Sequence, residues 1–102
     1  MNLSMVKQAL ELKSKLEKTQ KELGKMTVEA QSGNGTVKVK ASGRQQILSI
    51  KISPEVIDPE NPDKLNKLVL KAVTDALDKA KKLADEHLGK LTGGIKIPGI
   101  TD

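Results

Sequence analysis

Residues 33–52, GNGTVKVKASGRQQILSIKI, are the part of the chain that reads as sheet, and a long helical pattern lies on either side. Val37, Val39 and Ala41 alternate with Lys38 and Lys40, the period of a strand with one dry and one wet face. After a Ser42-Gly43-Arg44 turn, Leu48, Ile50 and Ile52 alternate with Ser49 and Lys51 in the same way. Ahead of them, Ser32-Gly33-Asn34-Gly35 is the strongest turn signal in the chain, because Asn and Gly tolerate the positive φ of tight hairpins. A Gly-rich turn also cradles phosphate in some folds, but this one joins two strands and opens no helix. Strands are predicted over 26–31, 36–41 and 46–52, with Met26, Val28 and Ala30 on one face of the first.

Upstream, residues 2–26 read as a helix. Met5, Ala9, Leu12, Leu16, Thr19, Leu23 and Met26 recur at alternating spacings of four and three, which is a heptad seam. Leu3, Val6 and Leu10 widen its apolar face near the start, and Gly24 weakens its last turn. The outer positions carry Lys7, Lys13, Lys15, Lys18, Lys21 and Lys25, and Glu11–Lys15 and Glu17–Lys21 stand four apart in the favourable order.

Downstream, Ser53-Pro54 stops the third strand, and residues 54–62 form a connector rich in proline and acid. Asp63 is expected to cap a second helix over 64–91. Its row of Ala72, Ala76, Ala80 and Ala84 lets another backbone approach closely, either the sheet or the same helix of a second copy. Residues 92–102, TGGIKIPGITD, read as a flexible tail behind a single domain of residues 1–91. The fold class is α+β: α-β-β-β-α, with a three-stranded antiparallel sheet between two long helices.

Composition bounds the function. At 102 residues the chain makes one domain, and with no Phe, Trp or Tyr its core is aliphatic. A long helix on so small a sheet leaves apolar surface uncovered, which argues against a monomer. The absence of cysteine excludes disulfides and thiolate chemistry. No apolar run approaches the roughly 20 residues that span a bilayer, and the N-terminus has no signal pattern. A soluble cytoplasmic protein is expected. Residues 1–51 hold 10 basic and 4 acidic side chains (+6), whereas residues 52–102 hold 8 and 9 (−1). Such a basic half suits a polyanion such as nucleic acid, or else a solvated lysine surface. Without aromatic stacking platforms, sequence-specific reading of single strands is disfavoured.

Catalysis has little to build on. His87 is the lone histidine and has no nucleophile or second ligand in pattern with it, so it reads as a partly exposed helix residue. Asp58, Glu60 and Asp63 lack the spacing of a calcium loop, with Pro59 and Pro62 between them. No catalytic residue, metal site, cofactor or small-molecule substrate is assigned.

The order of elements, with Gly35-Thr-Val-Lys-Val-Lys40, Gly43, Leu48-Ser-Ile-Lys-Ile-Ser-Pro54, Ala72-Val-Thr-Asp-Ala76 and the ending Gly93-Gly-Ile-Lys-Ile-Pro-Gly99, resembles the YbaB/EbfC family of small bacterial nucleoid-associated proteins. The likeness covers about residues 3–100. It departs at the start, where no Gly-rich or Phe-containing leader precedes the first helix. The resemblance implies a homodimer whose sheets join and whose helices project like the arms of tweezers. It also implies binding of double-stranded DNA with low sequence specificity, in nucleoid organisation and gene regulation. That family's DNA contacts lie on its helices. Charge and position then select Lys7, Lys13, Lys15, Lys18, Lys21 and Lys25 on the first helix and Lys79, Lys81 and Lys82 on the second, each neutralising phosphate. Lys38, Lys40, Arg44 and Lys51 of the sheet offer further, secondary contacts. The alternative is a structural or adaptor protein whose heptad helix binds a protein partner.

Overall fold

The structure, a computed structural model, describes residues 2–91. Helix α1 (Leu3–Lys25) leads to strands β1 (Thr27–Ser32), β2 (Val37–Ser42) and β3 (Ile47–Ile52). A single 3-10 turn, Pro54–Val56, then precedes helix α2 (Pro62–Leu91). The strands form one antiparallel sheet in the order β1-β2-β3. The α-β-β-β-α order and the antiparallel sheet therefore agree with the reading of the sequence. Its predicted tail, 92–102, lies outside the described residues.

The core forms where α2 crosses β1 and β2. Ala72, Ala76 and Ala80 of α2 and Val37, Val39 and Ala41 of β2 are fully buried, with Ala30 of β1 nearly so. Small alanines let the helix axis come close to the sheet, and the sheet rather than a second helix fills that space. Val28, Leu65, Leu68, Val69 and Val73 pack around this centre. Ser32 ties the two layers together: its hydroxyl donates to the Leu68 carbonyl at 2.6 Å.

Both turns place residues in the left-handed region. Gly33, Asn34 and Gly35 have φ of 59°, 56° and 85°, as the Asn-Gly signal predicts. The second turn is a three-residue loop, Gly43-Arg44-Gln45, held by Ser42. Ser42 N–H donates to the Gln46 carbonyl at 2.8 Å, and its hydroxyl accepts from the Arg44 and Gln46 amides. The left-handed residue here is Gln45, at φ 61°, where such loops favour glycine. Just beyond it the β2–β3 register slips between Lys40 and Ala41.

Helix α1 begins at an Asn2 cap, whose side chain accepts from the Ser4 amide at 2.9 Å. It runs past Gly24 and ends at Met26. Gly43 pins this end. Its amide donates to the carbonyls of Leu23 and Met26, both at 3.0 Å. A Cβ on Gly43 would stand 2.6 Å from the Leu23 carbonyl oxygen. Gly43→Ala must therefore push the turn off α1, and we expect it to lower unfolding free energy by about 1–3 kcal/mol. Urea denaturation checks this, and an unchanged midpoint would show that the turn gives way without cost.

Three local expectations differ from the structure. Asp63 lies in the first turn of α2 rather than at its cap, because Pro62 starts the helix. Proline suits that first position: its φ is already helical and it has no amide to leave unpaired. The pairs Glu11–Lys15 and Glu17–Lys21 do not close. Among the described residues, the ion pairs are Lys71–Asp75 at 3.4 Å and Lys81–Asp85 at 3.7 Å. Long exposed side chains gain little by pairing and stay solvated. The third difference is β3. Ile50 and Ile52 stand opposite Val39 and Val37 and so share the core face, yet neither helix lies over them. Ile50 is 44% exposed and Leu48 52%, while Val39 is fully buried. The dry face of β3 has no cover within one copy.

Candidate nucleic-acid interface

The molecule is elongated, 67 × 24 × 19 Å, with a radius of gyration of 18.7 Å. A compact domain of this size would have about 13 Å. Helix α1 is anchored only near its C-terminal end. Leu23 and Thr19 are buried against the body, Leu16 is half-buried, and Leu12, Ala9 and Met5 are exposed. The heptad seam thus leaves its packing partner midway, and α1 forms an arm whose base, residues 16–25, is anchored to the body and whose N-terminal half projects.

The six predicted lysines of α1 are all exposed, and among the described residues none is ion-paired. At 3.6 residues per turn, Lys7, Lys18, Lys21 and Lys25 fall within about 60° of one another, on the face opposite the seam. Lys15 borders this row together with Glu11 and Glu22. Lys13 lies on the other flank, nearer the apolar side. The row is therefore a run of positive charge along α1, densest at the anchored base where Lys18, Lys21 and Lys25 stand, with Glu11 and Glu22 along one edge and Glu17 along the other.

The three predicted lysines of α2 do not gather on this surface. Lys79 Nζ donates to the Glu29 backbone carbonyl at 2.8 Å, across 50 residues of sequence. It satisfies a backbone group on the outer edge of β1. Lys82 lies beside it above Ala30 and Gln31, in a depression that also includes Asp75 and Asp78. Lys81 points to the opposite side, pairs with Asp85, and lines a groove of about 400 Å³ with Arg44, Gln20 and Leu23. Lys81 and Arg44 are thus brought to the base of the arm, while Lys79 and Lys82 are not. No sequence pattern marks the Lys79–Glu29 bond, since it depends on how α2 crosses β1.

The other candidate groups have local structural roles. His87 Nδ1 lies 2.9 Å from the Leu83 carbonyl one helical turn earlier and donates to it. The Asp58 carboxylate accepts from the Glu60 amide at 2.9 Å, making the connector an Asx turn. Among the described residues, no three acidic, His or Cys side chains are grouped to hold a metal ion, and no helix is long and apolar enough to cross a membrane.

The sequence model of the YbaB/EbfC DNA-binding family matches residues 1–95. The chain belongs to that family. The chain is 45% identical over 96 residues to a nucleoid-associated protein of Pelotomaculum thermopropionicum, an alignment covering 94% of this chain and 91% of that protein. A nucleoid-associated protein of Desulforamulus reducens is 46% identical with the same coverage. Among solved structures, the uncharacterized protein HP0035 of Helicobacter pylori superposes with a TM-score of 0.79, over 91% of this chain and 99% of that one. Its identity is only 16%, so that likeness concerns the fold. YbaB/EbfC is a DNA-binding family, not an enzyme family.

Proposed function

We propose that this YbaB/EbfC protein binds double-stranded DNA as a homodimer, with low sequence specificity, as a component of the bacterial nucleoid in the cytoplasm. The observation that carries this reading is the unpaired lysine row on the projecting arm of α1. Lysines without acidic partners lose no ion pair when they meet phosphate, and they release condensed counterions from the duplex. Point-charge ammonium groups carry little base information, so the contact positions the protein rather than reading sequence. Membership of a DNA-binding family and the nucleoid-associated names of close relatives support the same reading.

Two copies join across β3. Its edge is the one that no helix covers, whereas the edge of β1 is closed by α2 and Lys79. An unprotected edge with an exposed apolar face is an invitation to a second strand. A two-fold pairing of like with like covers Leu48, Ile50 and Ile52 on both copies at once. The dimer places two arms on one body, and the duplex is bent or bridged according to where they point. Gene regulation then follows from DNA conformation rather than from recognition of an operator.

A titration on duplex DNA at several salt concentrations tests the reading. Micromolar or tighter binding that weakens steeply with salt is expected. Absence of binding at low salt would favour the adaptor alternative, in which the exposed seam of α1 meets a protein.

A further inference from the structure

Helix α2 covers one face of the sheet and leaves the other bare. On that bare face β2 presents Lys38 and Lys40, β3 presents Ser49 and Lys51, and β1 presents Glu29 and Gln31. The register sets Lys38 directly opposite Lys51, and sets Lys40 between Glu29 and Ser49. Like charges directly opposed across a strand pair are unfavourable. None of the three lysines is ion-paired among the described residues, and the one carboxylate on this face, Glu29, does not close on Lys40. Three cations against one anion surround a shallow depression of about 160 Å³, lined by Glu29, Lys38, Val39, Lys40, Ser49 and Lys51.

We infer that the bare face of the sheet is a second phosphate-binding surface, in which Lys38, Lys40 and Lys51 hold the sugar–phosphate backbone of duplex DNA. The inference rests on the DNA-binding reading and adds a site to it that lies off the helical arms. Its chemistry is that of a repeated anion. Lys38 and Lys40 stand about 6.7 Å apart along the strand, and Lys51 about 5 Å across from Lys38. The exposed lining carries no aromatic ring and no large apolar side chain to hold a base or an acyl chain. What this face offers is charge on a rigid backbone, complementary to a regular line of phosphates. The Cα positions of these lysines are set by strand register, so little backbone ordering is needed on binding. A duplex lying across the sheet fills the site that the Lys38–Lys51 pair leaves without counter-charge.

The test compares the full chain with Lys38→Gln/Lys40→Gln/Lys51→Gln on the same duplex, reading the slope of log affinity against log salt. Each lost contact lowers the slope by about 0.9, so a fall of about 2–3 per protomer is expected. Thermal unfolding of the variant should not be weaker than that of the parent, because the substitution relieves a like-charge pair. A parallel variant of the arm, Lys18→Gln/Lys21→Gln/Lys25→Gln, separates the two readings. If the parent fails to bind duplex, the DNA-binding reading itself falls. If the arm variant loses slope and the sheet variant does not, only the present inference falls. Amine acylation of the parent gives a second readout that needs no variant: Lys38, Lys40 and Lys51 become protected when duplex is added. Equal reactivity with and without duplex would overturn the inference. So would lysine-dependent binding to vesicles containing anionic phospholipid with an unchanged DNA slope, which would make the face a membrane contact.

Discussion

Ile50→Lys is expected to convert the protein into a folded monomer that no longer holds DNA. Within one copy Ile50 is 44% exposed, so a lysine there keeps its ammonium in water and leaves the buried Val37–Val39–Ala41 row intact. In the proposed β3-joined dimer the same position faces its partner, and desolvating an ammonium there costs several kcal/mol in each copy. Symmetry counts that cost twice. Since each 1.4 kcal/mol is a factor of ten, the dimer constant should weaken on the order of 10³-fold or more. Sedimentation at micromolar concentration reads this directly, and far-UV circular dichroism confirms the fold. The charge change sharpens the test. Ile50→Lys adds a cation, which by charge alone would strengthen DNA binding. Loss of binding would therefore have to come from separating the two arms. A dimer that survives the substitution would place the joint elsewhere than β3.

The physics behind that prediction also explains what could be read from the chain and what could not. The alternation of Val37, Val39 and Ala41 with lysines was decisive because strand periodicity is local and strictly two-fold. The alanine row of α2 likewise announced a close packing face, and the sheet took it. Asn34 and its flanking glycines marked a turn whose backbone is left-handed at each of the three. Other features depend on long-range placement. The Leu48-Ile50-Ile52 face looked as dry as that of β2, but dryness depends on where α2 crosses, and its axis stops short of β3. Lys79 looked like any surface lysine until the fold brought Glu29 beneath it. Gln45 shows the reverse: the turn was visible, but nothing in the residue type announced a positive φ there. For the candidate site, the sequence ranked the lysines by charge on a helix, whereas orientation about the axes separates the α1 row from Lys79 and Lys82.

That separation leads to the largest expected effect on binding. Lys18→Glu/Lys21→Glu/Lys25→Glu should lower affinity for duplex DNA at 0.1 M salt by at least about 10³-fold. The three lysines share one face of α1, so the proposed dimer presents six of them. Six lost phosphate contacts remove about 5 from the salt slope, and a protein using that many contacts changes affinity by about 10³ or more between 50 and 200 mM salt. Charge reversal then adds repulsion where attraction stood. The fold should survive, because all three side chains are exposed and carry no ion pair. Net charge must be separated from position, since the variant falls from +5 to −1, three substitutions of −2 each. Lys64→Glu/Lys67→Glu/Lys71→Glu makes the same change at the start of α2, away from the row on α1. If the arm set loses far more affinity than the α2 set, contact at the arm carries the binding. Equal losses from both sets would mean that only the overall field attracts DNA. An arm set that binds like the parent would leave the lysine row as solvated surface and shift the contact to other parts of the molecule.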